Sequence, residues 1–239
     1  MLSGWILIKG LVNITLMTSN QTVRRHIGRP RQVAGVDARE LLLDAALRLF
    51  SERGVAGTTF AAIAAKAGVT AAMVHYYFTN REQLLDAIAG ERLLPIVTGV
   101  WAPVSGSRQI ESMLRGVVQR IVNATEVNPW LPSLWLREVM SEGGELRLRL
   151  MKVLPFAHVA HLVSTVAAAQ RRGEINPELE PRLVFVSVIG LTLVPLANFH
   201  ILQQIPILQG IRREDIARHA EALLASAFSK PKARRTEAR

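Results

Sequence analysis

Residues 37–85 read DARELLLDAALRLFSERGVAGTTFAAIAAKAGVTAAMVHYYFTNREQLL, and the spacing of their apolar and chain-breaking residues predicts four helices. Asp37 followed by Glu40 has the form of a capping box, with the Asp37 carboxylate accepting the orphan N–H groups of a first turn. Leu41, Leu42, Ala45, Ala46, Leu49 and Phe50 then recur at i, i+4 and i+8 as one apolar stripe, and Gly54 is placed to stop the helix. A second start at Thr59 leads to Ile63, Ala64 and Ala67 on one face, with Gly68 as the stop. Thr70 opens a third short helix that runs through Val74 to Tyr77. Asn80, with Gln83 in the reciprocal position, opens a fourth, whose inner side is Leu84, Leu85 and Ile88.

Two short helices joined by a tight glycine turn and backed by a longer one form a helix-turn-helix. A helix about two turns long enters a DNA major groove with its N-terminal residues against the base edges. Neighbouring helix N-termini offer free N–H groups to phosphates. A plain helical mini-bundle is the alternative reading, because such turns recur in all-α domains.

The charge distribution points to an anionic polymer or surface. The chain of 239 residues carries a formal charge of +10, with 49% apolar and 20% charged residues, enough to bury a core. Residues 1–36 hold Lys9, Arg24, Arg25, Arg29 and Arg31 with no acid, and residues 229–239 hold five bases against Glu237, so the middle is close to neutral. Both ends read as basic, disordered segments, and Gly28-Arg29-Pro30-Arg31 has the form of an arm whose two guanidiniums, Arg29 and Arg31, enter a minor groove. There is no cysteine, which excludes disulfides, thiolate nucleophiles and Cys-type zinc sites. Residues 1–16 are apolar but fit a signal peptide poorly, because Lys9 interrupts them and no Ala-x-Ala-like site follows. They are too short for a membrane span, so an upstream start, with Met17 as the natural initiator, is expected.

The run from Ala38 to Leu85 resembles the N-terminal domain of the TetR family of bacterial transcriptional regulators. Phe50, Gly54, Thr58-Thr59, Ile63-Ala64, Ala67-Gly68-Val69, the Tyr-Tyr-Phe at 76–78 and the Asn-Arg-Glu at 80–82 carry the likeness, in order and without a gap. The resemblance implies an all-α fold: an N-terminal three-helix helix-turn-helix DNA-binding domain followed by a helical ligand-binding and dimerisation domain. It implies that Thr59 and Phe60 open a helix that touches phosphate. Thr70, Ala71, Ala72, Met73, His75 and Tyr76 would line the exposed side of the recognition helix, and Tyr77 and Arg81 would hold the DNA backbone. The recognition helix departs from the family in offering Ala71, Ala72 and Met73 where hydrogen-bonding side chains would read bases, and His75 where relatives often carry Tyr. Contacts with thymine methyls, His75 and the basic arm are therefore expected to carry more of the readout.

Residues 91–228 read as helices throughout, without strand alternation or hairpin signals. Ala102 to Arg108 is a linker, followed by a helix near Ile110–Glu126. Asn128 to Pro132 is a break before a short helix around Leu134–Ser141, and a long helix over Leu146–Arg172 is expected to kink at Pro155. Pro181 starts the next helix, and Glu214–Phe228 is the last. The stretch Leu183–Ile211 has no charged residue, which makes a membrane span the competing reading. Its purely apolar part ends near Ala197, short of the roughly 18 residues that a span requires, so burial in a core or against another subunit is expected. The resemblance assigns this stretch and Glu214–Phe228, the last two long helices, to a homodimer interface. It also implies an effector pocket for a small, apolar molecule in the same half, with Trp101, Trp130, Trp135, Phe156, His158, His161, Phe185 and Asn198 as candidates, each of which is as readily plain core. His158 and His161 share a helical face, but no third ligand lies near them in the sequence, so no metal is expected.

The expected organisation is a basic arm with its upstream extension at 1–36, the helix-turn-helix unit at 37–83, the effector-binding and dimerisation region at 84–228 and a basic tail at 229–239. The expected function is a ligand-responsive repressor that binds a double-stranded DNA operator, without a cofactor, away from the membrane, in the cytoplasm. An enzyme is disfavoured because the chain lacks a Gly-x-Ser-x-Gly elbow, a phosphate-cradling glycine loop and a His-Glu-x-x-His motif. Deleting residues 1–16 is expected to leave folding and DNA affinity unchanged, as read by circular dichroism and fluorescence anisotropy. Loss of the folded chain on deletion would reject the upstream-start reading.

Overall fold

The computed structural model describes residues 37–103, 110–154 and 156–229, and among these there is no strand. Expected features that lie outside the described residues are the upstream extension at 1–16, Arg29 and Arg31 with the rest of the basic arm, most of the 102–108 linker, Pro155, and the basic tail beyond Ser229.

Helix α1 (Ala38–Arg53) starts where the Asp37 carboxylate accepts the N–H of Arg39 at 2.8 Å. The capping box is not closed: Glu40 instead pairs with Arg92 at 2.5 Å. Of the expected stripe, Leu41 is half-buried, while Leu42, Ala45, Ala46, Leu49 and Phe50 are all at or below 5% exposure. Each such Leu or Phe contributes about 1.5–3 kcal/mol by leaving water. Helix α2 (Phe60–Ala67) begins on Thr59, whose hydroxyl oxygen accepts the N–H of Ala62 at 3.2 Å. It ends at Gly68 with φ +71°, where the N–H of Val69 reaches the Ala64 carbonyl and that of Gly68 the Ala65 carbonyl, a Schellman stop. Helix α3 (Ala71–Tyr77) follows at once and turns Val74 and then Phe78 into the core. Asn80 caps helix α4 (Arg81–Ala87) by accepting the N–H of Gln83 at 2.9 Å, while the Gln83 side chain accepts the N–H of Thr79 at 3.0 Å.

Helix α4 does not stop. It passes through a π-helical segment, Ile88–Leu93, into α5 (Leu94–Trp101), so one helical run leads from the small helices into the rest of the chain. Ion pairs tie α1 to this run. Arg39 grips Glu91 with two hydrogen bonds of 2.6 Å, and these bonds hold the Glu91 carboxyl below its usual range. The C-terminal end of α5 is finished by Arg120 of helix α6 (Ile110–Val127), which donates to the carbonyls of Val100 at 2.8 Å and Ala102 at 3.0 Å.

Beyond α6 the structure departs from the sequence reading in three places. Helix α7 (Leu131–Leu134) begins inside the expected break, with Pro132 in its first turn, where a missing N–H costs nothing. It then continues as a second π-helical segment, Trp135–Met140. The single kinked helix expected over 146–172 is two helices, α8 (Arg147–Val153) and α9 (Phe156–Arg171), set at 73°. Leu154, with ψ 136°, is extended, the conformation that a following proline imposes. The charge-free stretch is also divided. Helix α10 (Val184–Ala197) is followed by α11 (Phe199–Leu202) and a 3-10 turn at Pro206–Leu208. Among the described residues no single helix is long and apolar enough to cross a membrane. Helix α12 (Arg213–Phe228) closes the chain, packed on α6 and α10.

Gly68→Ala is expected to cost about 1–2 kcal/mol, the penalty of a Cβ in a left-handed conformation, because nothing else crowds that position. Chemical denaturation would read it, and an unchanged midpoint would mean that the turn between α2 and α3 relaxes to another form.

Candidate functional site

Helix α3 carries its residues in three stripes. Val74 and Phe78 are buried, Met73 and Tyr77 are half-buried, and Ala71 with His75 and Ala72 with Tyr76 face outward. Tyr76 is 81% exposed. Phe60 and His75 stack edge to face with centroids 5.2 Å apart, which locks α2 to α3 through one of the outward residues. Thr59 spends its oxygen on the α2 cap but keeps its hydroxyl proton for an acceptor outside. Thr70, exposed at the start of α3, makes no side-chain capping bond at all. The structure thus brings Thr59, Thr70, Ala71, Ala72, His75 and Tyr76 to the surface of the two short helices. Phe60, Met73 and Tyr77 lie half-buried behind them, with Phe60 and Tyr77 packed against the core.

Arg81 is placed differently. Its guanidinium donates to the carbonyls of Thr58, at 3.0 Å, and Val55, and its Nε lies 3.6 Å from the Glu145 carboxylate. A phosphate would have to take Arg81 from these acceptors. The reason lies in the turn after α1, where Val55 and Thr58 are buried, at 0% and 1% exposure, on either side of exposed Ala56 and Gly57, and their carbonyls take Arg81 as donor.

The second feature is a cavity of about 450 Å3 in the C-terminal half. Four of the candidates named from sequence meet there: Trp101, Trp135, Phe156 and Phe185, with Trp101 and Phe185 edge to face at 6.3 Å. The remaining wall is Val97, Val139, Met140, Met151, Leu154, Val159 and Ile189, none distinguishable in sequence from ordinary core. Every lining residue is apolar. Met140, Met151 and Phe156 are each more than 40% exposed and form its rim. A void of about 30 Å3 continues inward beside the same two tryptophans. The other four candidates are elsewhere. Trp130 is half-buried against the core, and Asn198 donates to the Val194 carbonyl at 2.9 Å. His158 and His161 line a small recess behind Trp101, where the His158 Nδ1 is buried without a partner. Among the described residues no three His, Asp or Glu come together as a metal site would need.

Residues 42–88 match the family profile described as bacterial regulatory proteins, tetR family. The nicotine-responsive transcriptional repressor HdnoR of Paenarthrobacter nicotinovorans is 33% identical over 87 residues, which cover 36% of this chain and 45% of that protein. The transcriptional regulator BetI of Burkholderia ambifaria is 30% identical over 103 residues, 41% of this chain and 51% of its own. The chain thus spans about half the length of the curated relatives it matches. At the level of fold the likeness extends further. The transcriptional regulator FadR of Bacillus subtilis, solved with stearoyl-CoA, superposes with a TM-score of 0.59 at 19% identity over 79% of this chain and 98% of its own. The ketosteroid regulator KstR2 of Mycobacterium tuberculosis does so with a TM-score of 0.59 at 18% identity over 80% and 93%.

Two substitutions separate recognition from architecture. Tyr76→Ala is expected to change unfolding free energy by no more than about 0.5 kcal/mol while lowering DNA affinity. Arg81→Ala is expected to lower stability by about 1–3 kcal/mol, because the Thr58 carbonyl loses its donor. Denaturation and anisotropy on both variants check the pair, and an Arg81→Ala chain of unchanged stability would release Arg81 for a purely DNA-facing role.

Proposed function

We propose that this chain is a member of the TetR family of bacterial transcriptional regulators, which its residues 42–88 match, and acts as a dimeric, ligand-responsive repressor. In this reading residues 37–83 bind one half-site of a pseudo-palindromic operator in double-stranded DNA, and residues 84–228 bind a small apolar effector and form the homodimer. The observation that carries it is the helical run from Arg81 to Trp101. Its first turn belongs to the DNA-binding head, and its last turn, with Val97 and Trp101, walls the cavity. A molecule that moves Trp101 moves one end of a lever whose other end carries α3. Release of the operator then requires only that the effector prefer the geometry that does not fit DNA.

The cavity selects the effector's class. With no charged lining residue and only the indole N–H groups of Trp101 and Trp135 as polar lining groups, it offers little to compensate a buried charge, so it favours a neutral molecule with an apolar body. Of the similar proteins, one is nicotine-responsive and another was solved with stearoyl-CoA, whose acyl chain is an apolar body of this kind.

The DNA-facing side supports direct contacts of a limited kind. Ala71 and Ala72 present methyl groups suited to thymine, while Thr59, Thr70, His75 and Tyr76 supply the hydrogen-bonding groups. Arg29 and Arg31 of the N-terminal arm would add minor-groove charge. Dimerisation is supported by the outward faces of α10 and α12. Val186, Gly190 and Val194 fall on one exposed side of α10, and Leu223 is exposed on α12, next to it. A second copy packing these faces together would bury them and pair two heads, as two half-sites demand. The proposed location is the cytoplasm, where its DNA is.

Anisotropy with the DNA just upstream of its own gene, against a scrambled duplex at several salt concentrations, tests the reading. At least about a thousandfold preference with a steep salt dependence is expected, and equal, weak binding to both would overturn it. Val194→Arg combined with Leu223→Arg is expected to weaken the dimer by about tenfold or more, ~1.4 kcal/mol, in sedimentation velocity. A dimer that persists unchanged would place the interface elsewhere.

A further inference from the structure

A carboxylate on the outer side of the cavity wall holds the turn of the DNA-binding head. Glu138 lies in the π-helical segment Trp135–Met140 and is 5% exposed. Trp135, Val139 and Met140 of the same six residues face the cavity, whereas Glu138 reaches away from it. Its Oε1 accepts the N–H of Val55 at 2.8 Å, and its Oε2 accepts the N–H of Glu145 at 3.2 Å. Among the described residues it has no salt bridge, so two backbone amides hold a buried carboxylate. The fit is close on both sides. A Cβ on Gly54 would stand 3.1 Å from Oε1, and one on Gly144 would stand 2.3 Å from the Glu138 carbonyl oxygen.

The turn that Glu138 holds is the one that Arg81 and Thr58 complete. Arg81 donates to the Val55 and Thr58 carbonyls, and the Thr58 hydroxyl donates to the Gly54 carbonyl at 2.8 Å. Arg81 is also the first residue of α4, directly after the recognition helix, and its Nε faces Glu145. A buried carboxyl group held by two amides is a tightly constrained joint, and an ångström of movement breaks it, since a hydrogen bond of this kind is lost beyond about 3.5 Å.

We infer that Glu138 is the positioning residue through which occupancy of the cavity reaches the DNA-binding head. An apolar molecule that displaces Trp135, Val139 and Met140 shifts their shared backbone, draws the carboxylate off Val55 and loosens the turn between α1 and α2. This rests on the cavity being the effector site.

The test uses the full chain, N-phenyl-1-naphthylamine as a neutral apolar probe, and the duplex from upstream of its own gene. In the unmutated chain, saturating probe is expected to speed amide hydrogen exchange at Val55 by about tenfold and to weaken DNA binding by at least about tenfold. Glu138→Leu removes both acceptor oxygens and keeps an apolar body against the cavity wall. It is expected to bind the probe as before, to exchange Val55 rapidly with or without probe, and to lose all but about twofold of the probe's effect on DNA. Glu138→Gln keeps one acceptor and is expected to retain part of that effect, which a merely destabilised chain would not. Val55 exchange that is indifferent to probe in the unmutated chain overturns the inference whatever the variants do. A Glu138→Leu chain that still gives the full effect also overturns it and leaves the effector reading standing. A probe that fills the cavity and leaves both DNA affinity and Val55 exchange unchanged overturns the two together.

Discussion

Burying the turn between α1 and α2 sets a requirement that the rest of the chain has to meet. Val55 and Thr58 are sealed from water, and each backbone group left unpaired there would cost about 1–3 kcal/mol. Three donors and acceptors from different parts of the chain meet the need: the Thr58 hydroxyl within the turn, Arg81 from the start of α4, and Glu138 from the far half. The first two belong to the small helical head, and the third does not. The head is therefore finished only by the segment that also walls the cavity, and two features that look separate in sequence share one joint.

The cavity has its own geometric origin. Helices α8 and α9 turn by 73° at Leu154, so Met151 and Leu154 come from one side of the corner and Phe156 and Val159 from the other. Helices α5 and α10 and the π-helical segment supply the remaining walls. Aliphatic side chains pack to high density when neighbouring helices lie alongside one another, and a corner of this kind keeps them apart. Trp101, Trp135 and Phe185 span part of the gap with rigid rings, which leaves a shaped space in place of a collapsed core.

Two π-helical segments sit at mechanically sensitive positions. One lies in the run from the head to the cavity, at Ile88–Leu93, and the other carries Glu138. Such segments insert a residue into the helical register and are common at functional sites. Around the first, the ion pairs Arg39–Glu91, Arg92–Glu40 and Arg149–Asp86 fasten α1 and α8 to the run. These pairs are partly exposed and each adds little stability, at most about 1 kcal/mol. Their effect is on registry: they hold the head's helices in one orientation relative to the elements that surround the cavity.

Residues close in sequence decided the head. The caps at Asp37, Thr59 and Asn80, the glycine stops at 54 and 68, and the i, i+4 stripe of α1 are local patterns, because helix capping and apolar periodicity act over one or two turns. The outward residues of α3 were expected from the family likeness, which also placed Met73 among them, and Met73 is half-buried. Where the chain makes its longer contacts, sequence was a weaker guide. Trp101, Trp135, Phe156 and Phe185 could be named as candidates but not told apart from Trp130, and the seven aliphatic and methionine residues that complete the cavity carry no signal that separates a lining residue from core. Nothing local marks Glu138 either, since its partner Val55 lies 83 residues away. Arg81 shows the limit most plainly: the family likeness led to the expectation that it holds the DNA backbone, while its hydrogen-bond partners lie within the protein. By itself the sequence determined the helices of the head, because their starts and stops depend on hydrogen bonds and burial within a few residues. Tertiary structure alone decided which apolar side chains enclose a space and which carboxylate closes the buried turn, because both depend on distances between segments that the chain brings together only on folding.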